Sequence, residues 1–258
     1  MIDEKIKDWL EKTGFPLEMA AAAAFKDSDF MVRQSAVYQD PQEGKGREID
    51  VLAFDSINHG LIEIYFVVEC KSSTNPWVVL TSNEALISES RVSMFALATR
   101  DAEEALSKRL RNGGLGCLES FVPKYAHCGY GFRQALFTKD NDPAYAAAMG
   151  ALKAAHGLTQ ESGSVENPNY VFAFPVIVID SPLFECELKE DGDIKLTEVS
   201  ESSFLFSAFI PHQVSGRIRV VTKIQLPIFA ESARDLANSI VEELEAEVLA
   251  YLSDDQEE

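Results

Sequence analysis

The sequence has few of the features that mark a secreted, zinc-binding or membrane protein. Its four cysteines form no CxxC pair, and their spacing matches no zinc module. No apolar run approaches the length of a membrane span. The first residues are amphipathic and charged, without the basic start and apolar stretch of a secretory signal. We therefore expect a cytoplasmic protein with free thiols and no membrane partner.

Basic residues are also scarce. The chain has 23 Lys and Arg against 42 Asp and Glu, which gives a formal net charge of −19. This charge repels nucleic acid at long range and argues against a general DNA-coating role, although a local basic groove or bound cations can offset it. Basic side chains recur in the middle of the chain, either as solvated helix faces or as a rim that contacts phosphates. These are Arg91, Arg100, Lys108, Arg109, Arg111, Lys124, Arg133 and Lys139.

The length of 258 residues and the hydrophobic content of 46% predict one globular domain over residues 1–258, and the mixture of helical and strand-like patterns along it predicts an α/β fold. Helical spacing over residues 2–12 and a second helix opening at Pro16 are followed by three strand-like runs with short polar connections. Residues from about 83 to 160 have helical patterns, apart from a glycine-rich stretch at 111–120 that we interpret as a loop. The run "YVFAFPVIVID" predicts a central strand. A hairpin turning at Asp191–Gly192, further strands and a final amphipathic helix over residues 231–252 complete the pattern.

Two charges end the third strand-like run, "LIEIYFVVECK". Strand alternation puts Glu69 and Lys71 on one face, about 6–7 Å apart, and turns Cys70 to the other. In the preceding run, "REIDVLAF", alternation places Glu48, Asp50 and Leu52 on one face and Ile49, Val51 and Ala53 on the other. If the two runs pair as a hairpin, Asp50 lies beside Glu69.

Two neighbouring carboxylates repel each other unless a cation lies between them. Mg²⁺ prefers oxygen ligands and usually keeps several of its waters. A metal ion in such a site lowers the pKa of a bound water and stabilises negative charge on a phosphoryl oxygen. A nearby lysine such as Lys71 is suited to orienting or deprotonating that water, or to countering charge in the transition state.

The segments "REID" and "VECKSS" together resemble the active-site pattern of the PD-(D/E)XK nuclease superfamily. Asp50 matches the first acid of that pattern, and Glu69 and Lys71 match its acid–x–lysine half. Glu18, in "GFPLEMAAAA", stands where many members carry a further metal-binding Glu on the preceding helix. The sequence departs from the pattern at Ile49, which replaces the usual proline.

The resemblance implies a restriction-endonuclease-like core of helix, three-stranded meander, helix and strand over about residues 14–181. A helical insertion would occupy about 100–160, and a β-rich and helical C-terminal extension about 182–252. The resemblance also implies a nuclease that depends on Mg²⁺ or Mn²⁺ and acts on nucleic acid, with DNA favoured over RNA. Asp50, Glu69 and Glu18 would hold the metal, and Lys71 would position or activate the attacking water.

Simpler roles remain open for each of these residues. Glu69 and Lys71 are also explained as an ion pair at an exposed strand end. Asp50 is also explained by a salt bridge to Arg47 or Lys71, and Glu18 by the helix dipole. At the level of the whole protein, the alternative is a catalytically inactive nuclease-fold binding or assembly protein. Such a protein would form a homo-oligomer or bind a partner subunit through its C-terminal helix, unless the apolar stripe of that helix packs in the core.

Overall fold

The computed structural model describes residues 1–82, 95–111, 128–136, 142–160 and 168–254, with the side chains of residues 110, 111 and 246–254 excepted. The described helices are α1 (Ile2–Leu10), α2 (Phe15–Asp27), α3 (Arg100–Arg111), α4 (Pro143–Leu158) and α5 (Leu226–Asp254). The first strands are β1 (Met31–Gln39), β2 (Gly46–Ile57), β3 (Ile62–Lys71), β4 (Trp77–Ser82), β5 (Leu97–Ala98) and β6 (Cys128–Gln134). The later strands are β7 (Tyr170–Ile179), β8 (Leu183–Leu188), β9 (Ile194–Val199), β10 (Glu201–Phe209) and β11 (Gln213–Thr222).

The fold is α/β, and all of these strands join one mixed sheet. The strand order is β1-β2-β3-β7-β11-β10-β6-β4-β8-β9, with β5 paired to β7 beside this path. The predicted meander is confirmed, because β1, β2 and β3 are antiparallel neighbours. The predicted hairpin at Asp191–Gly192 is also confirmed, since β8 and β9 pair across it and Gly192 has a φ of +88°.

Helices cover both faces of the sheet. Buried side chains of α2, α3 and α5 form one core cluster with alternate residues of β2, β3 and β7. The other cluster joins α4 to the remaining alternate residues of these strands and to β10 and β11. Every residue of β7 is buried, which explains why "YVFAFPVIVI" is continuously apolar and confirms that this strand is central.

Helix α4 begins where the Asp–Pro signal predicts. The Asp142 carboxylate caps the helix by accepting hydrogen bonds from the backbone N–H groups of Ala144 and Tyr145, at 3.0 and 3.2 Å. Small residues line its buried face, so the helix lies close to the sheet. These residues are Ala144, Ala147, Ala148, Ala151, Ala154 and Ala155.

The predicted helical insertion over about 100–160 is wrong in one part, because β6 interrupts it. The sequence patterns also missed β4. These strands pair with each other in antiparallel fashion across a long stretch of sequence, and local patterns do not report such pairing. Trp77 of β4 stacks on Phe132 of β6 at 5.0 Å, and Phe132 stacks on Phe204 of β10 at 5.1 Å. Most of the glycine-rich stretch at 111–120 lies outside the described residues.

The predicted C-terminal extension is part of the sheet itself. Strand β11 lies between β7 and β10 and runs parallel to β7. The apolar stripe of α5 packs in the core from Leu226 to Leu244, which favours core packing over a free dimer face for this part of the helix. Among the described helices, none combines the length and apolarity needed to cross a membrane.

A buried ion pair ties α4 to the β1–β2 turn. Lys153 donates to both carboxylate oxygens of Asp40, at 3.1 and 3.4 Å, and the Asp40 side chain is only 1% exposed. Burial alone would raise the pKa of Asp40, but hydrogen bonds from the Gln42 N–H and from Lys153 outweigh it and lower that pKa. This pair fixes the position of α4 over the end of the meander.

Candidate active site

Asp50 and Glu69 meet at the end of the β2–β3 hairpin. The register pairs Val51 with Val68, so the next position along the ladder puts Asp50 opposite Glu69. Asp50 Oδ2 accepts a hydrogen bond from the backbone N–H of Cys70 at 2.7 Å. The Asp50 carboxylate therefore lies against the peptide that joins Glu69 to Cys70, as the sequence predicts.

The strand alternation around Asp50 differs from the prediction. Ile49 packs with Leu52 in the core cluster under α4, whereas strict alternation placed these residues on opposite faces. The β1–β2 ladder skips the position where Ser35 faces Asp50, and Ser35 has a φ of +53°. A left-handed residue inside a strand interrupts the pleat, and such irregularities often redirect a side chain near a functional site.

Glu69 and Lys71 form the ion pair that was the simpler alternative for them. Lys71 Nζ donates to Glu69 Oε1 at 2.5 Å, and the two side chains are 19% and 30% exposed. The pair is thus partly buried and not a fully solvated strand end. Helix α4 covers the same carboxylate at Gly150, where an added Cβ would lie 3.1 Å from Glu69 Oε2. A larger residue at position 150 would displace Glu69.

Glu18 also belongs to this cluster. It lies half-buried in the first turn of α2, and burial followed by the charges of Asp50 and Glu48 raises its pKa. The helix dipole alone does not account for this environment, since it would stabilise the carboxylate. Glu48 is exposed near the start of β2 and lies farther out than Asp50.

Burial and mutual repulsion disfavour the ionised forms of the carboxylates in this cluster. Burial raises the pKa of Glu69, and the charges of Asp50 and Glu18 raise it further against the opposing effect of Lys71. Burial alone would lower the pKa of Lys71, but Glu69 and then Asp50 outweigh it and raise that pKa. Three carboxylates thus share one ammonium group.

The other expectations for these residues are settled by their contacts. Arg47 does not pair with Asp50; it pairs with Asp40 at 3.4 Å and with Glu43 at 3.1 Å. Cys70 packs in the core cluster on the α2 side, as alternation predicts. Burial, followed by the charge of Asp50, raises the pKa of its thiol.

Sequence reasoning missed two residues that shape the site, Gly150 and Asp180. Asp180 directly follows the central strand β7. Its carboxylate accepts hydrogen bonds from the Ser73 N–H at 2.9 Å and from the Ser72 hydroxyl, so it fixes the chain just after Lys71. The parallel pairing of β3 with β7 aligns Lys71 with Ile179 and thereby brings Asp180 beside Ser72. The role of Asp180 could have been predicted only if the pairing of β3 with β7 had been known.

The cluster has ligands for a hard divalent ion, provided that water completes the coordination shell. Within the described residues, no three His, Cys, Asp or Glu side chains form a group that could hold a metal ion by themselves. Mg²⁺ is usually held by one or two carboxylates together with waters and substrate phosphate. Asp50 accepts the Cys70 N–H through Oδ2, and Glu69 accepts Lys71 through Oε1. The other carboxylate oxygens, Asp50 Oδ1 and Glu69 Oε2, accept no hydrogen bond from any described residue. Two acceptor oxygens thus remain for an ion or its waters.

The basic residues of the proposed rim are divided between two elements. Arg100, Lys108 and Arg109 lie on α3, on the opposite face of the sheet from α4, and Arg133 lies on β6. Arg91, Lys124 and Lys139 lie outside the described residues, as does the side chain of Arg111. The described part of the chain therefore does not bring the rim together around Glu69.

Comparison with models of protein families, with curated proteins and with solved structures finds no match to this chain. The functional argument consequently depends on the residues of the cluster and on their geometry.

Proposed function

We propose that this protein is a metal-dependent nuclease with a restriction-endonuclease-like core. The observation that carries the proposal is the convergence of Asp50, Glu69 and Lys71 at the end of one hairpin, where mutual repulsion and burial raise the pKa of Glu69. A carboxylate cluster that is destabilised by its own charge gains most from a bound cation. A purely structural ion pair has no use for the second and third acids.

The order of elements supports the same proposal. Helix α2 precedes the antiparallel meander β1–β2–β3, and the central strand β7 pairs in parallel with β3. This is the helix, three-strand and later-strand order that the resemblance implies, with α3 and α4 between β3 and β7. The site lies at the end of β3, which is where the acid–x–lysine pattern predicts it.

Each residue of the cluster has a distinct role in the proposed mechanism. Asp50 and Glu69 would hold Mg²⁺ or Mn²⁺, and Glu18 would contribute from α2 directly or through water. The ion would supply a more acidic water and stabilise negative charge on the phosphate. Lys71, which donates to Glu69, would orient the attacking water or neutralise charge on the phosphate. Cys70 takes no part, because its thiol is buried in the core.

A direct assay tests the proposal. Purified protein is incubated with single- and double-stranded DNA and RNA, in Mg²⁺, in Mn²⁺ and in EDTA. We expect cleavage only with metal and greatest with DNA. Glu69→Gln and Lys71→Met should each reduce the rate by roughly a hundredfold or more, since each removes a group that stabilises the transition state.

Glu63→Gln is the matched control, because Glu63 lies on the same strand β3 but at its other end, opposite Ser56. This variant makes the same change of charge and should cleave like the wild type. Cleavage that persists unchanged in both Glu69→Gln and Lys71→Met would disprove the site. A wild-type protein that neither cleaves nor binds metal would instead favour the inactive binding or assembly protein.

A further inference from the structure

A cavity of about 390 Å³ lies on the α4 side of the sheet, away from the carboxylate cluster. Its volume is within the range of small-molecule pockets, ~300–1,000 Å³. Strand β6 forms one wall, β10 the other, and the first turns of α4 close one side. The lining side chains that matter for its chemistry are Tyr130, Arg133, Tyr145 and Phe206.

The cavity exists because β6 and β10 separate. These parallel strands share a single pair in the described residues, Phe204 with Gly129. Gly129 is required at that point, because an added Cβ would lie 2.7 Å from the backbone oxygen of Ser203. Beyond this pair, residues Tyr130 to Arg133 of β6 and Leu205 to Ser207 of β10 line the cavity. Strand edges that do not pair with each other offer N–H and C=O groups to a ligand.

Aromatic rings stand at the mouth of the gap. Tyr130 and Tyr145 are 60% and 52% exposed, which is more than rings packed for stability require. Tyr145 meets Phe206 edge to face, with ring centroids 5.7 Å apart. Arg133 holds its guanidinium at the rim, where Nη1 donates to the Phe132 carbonyl at 2.7 Å and lies 3.7 Å from the Asp142 carboxylate. Exposed rings beside a guanidinium form a surface on which bases stack while the cation contacts phosphate.

We infer that this cavity binds one unpaired nucleobase of the nucleic-acid strand that the carboxylate cluster cleaves. The inference rests on the proposed nuclease function and specifies its substrate as a strand with at least one base outside a duplex. The flat ring stacks on Tyr145 and Tyr130, and the backbone edges of β6 and β10 hydrogen-bond to its polar edge. An apolar ligand would form no hydrogen bonds with these backbone groups.

The position of the cavity allows one nucleic-acid strand to occupy it and also to reach Glu69. The ladders place Ser202 of β10 level with Glu69, three strands away, or about 14 Å at about 4.8 Å per strand. Phe206 lies four residues farther along β10, about 13 Å at about 3.3 Å per residue, so the cavity is about 19 Å from Glu69. This distance equals roughly six nucleotides of stacked strand at about 3.4 Å each. Helix α4 connects the two places, since it lines the cavity at Tyr145 and contacts Glu69 at Gly150. Base preference should therefore appear several nucleotides from the cleaved bond.

Binding in EDTA tests the inference without cleavage. The probe is a short single-stranded DNA with one 2-aminopurine, whose fluorescence reports stacking and whose anisotropy reports affinity. Tyr145→Ala should weaken binding roughly five- to a hundredfold, as expected for the loss of one stacked base. Tyr145→Phe, the matched control, keeps the ring and should bind like the wild type. A blunt duplex of the same sequence should bind more weakly and should not distinguish the variants.

The outcomes separate this inference from the nuclease proposal. Equal binding of single strands by wild type, Tyr145→Ala and Tyr130→Ala overturns the cavity assignment, and so does a wild type that binds no single strand. Cleavage that tolerates an abasic residue at every position overturns only the cavity. Ring-dependent binding without any metal-dependent cleavage leaves the cavity as a base-binding site and overturns only the nuclease proposal.

Discussion

Replacing Gly150 by alanine should make this protein more stable and slow the proposed nuclease reaction. Gly150 lies inside α4, where glycine costs about 0.5–1 kcal/mol relative to alanine. The substitution should recover most of that free energy. For a chain of this size, a gain of about 1 kcal/mol raises the Tm by about 2–4 °C.

The added methyl group should also displace the Glu69 carboxylate. The added Cβ would lie 3.1 Å from Glu69 Oε2 and 3.5 Å from Glu69 Cδ. Ordinary contacts between carbon and oxygen are about 3.3–3.6 Å, so the carboxylate must retreat by about 0.2–0.5 Å. Misplacement by about 1 Å can reduce a rate by about a hundredfold. We therefore expect cleavage to fall by roughly three- to tenfold and the Mg²⁺ concentration for half-maximal rate to rise.

The assay combines thermal unfolding in EDTA with cleavage rates over a range of Mg²⁺ concentrations. Gly157→Ala is the matched control, since Gly157 lies in the last turn of the same helix. Its added Cβ would also meet a neighbour at 3.1 Å, but that neighbour is the Tyr38 ring and not a carboxylate. Gly157→Ala should therefore leave the metal dependence of cleavage unchanged.

A Gly150→Ala variant that gains stability but cleaves like the wild type, with the same Mg²⁺ dependence, would refute the reasoning. In that case Glu69 Oε2 would have no part in catalysis. A loss of stability would refute the helix-propensity argument instead, because the end of the Glu69 side chain would then be too constrained to move.

Two further variants test the electrostatics of the fold. In EDTA, Glu69→Gln should raise the Tm at neutral pH, because burial, followed by the charges of Asp50 and Glu18, keeps the folded pKa above the ordinary 4.5. The stability contributed by the protonated form of Glu69 is complete below pH 4.5 and is lost as the pH rises through the folded pKa, so the difference in Tm should vanish in acid. Asp40→Ala should cost about 3–5 kcal/mol in urea unfolding, because Lys153 is left buried without its partner. Adding Lys153→Met should restore much of that loss, and failure to do so would show that the loss comes from the hydrogen bonds of Asp40 to the N–H groups of Gln42 and Glu43 and not from the unpaired Lys153.

The cluster of Asp50, Glu69 and Lys71 was predictable because its signals are local. Charges at the end of an apolar, β-branched run are conspicuous, and a period of two residues determines which of them share a face. A short polar connection predicts that the two strands pair as a hairpin. Within the hairpin, the predicted face of Ile49 was wrong. Ser35 of β1, which pairs with β2, interrupts the regular alternation there.

The rest of the site depends on pairing between segments far apart in sequence. From the sequence, Gly150 is one more small residue of an alanine-rich helix, and its contact with Glu69 follows only from the packing of α4 over β3. Asp180 is typical of a turn, and its position beside Ser72 follows only from the parallel pairing of β7 with β3. Strands β4 and β6 are short, and their stability comes from each other and from the stacked rings of Trp77, Phe132 and Phe204. Local propensity contains none of this information.

The position of β11 in the sheet has a consequence for how the chain folds. The β2–β3 hairpin can form early from local contacts, but β3 keeps an open edge until β7 pairs with it. One edge of β7 in turn stays open until β11 pairs with it. Contacts of such long sequence separation slow folding, and an unpaired apolar edge invites aggregation while it waits. During synthesis the ribosome must therefore deliver the chain as far as β11 before the middle of the sheet can close. Truncations within β11 or α5 should consequently yield insoluble protein, although they remove no residue of the cluster.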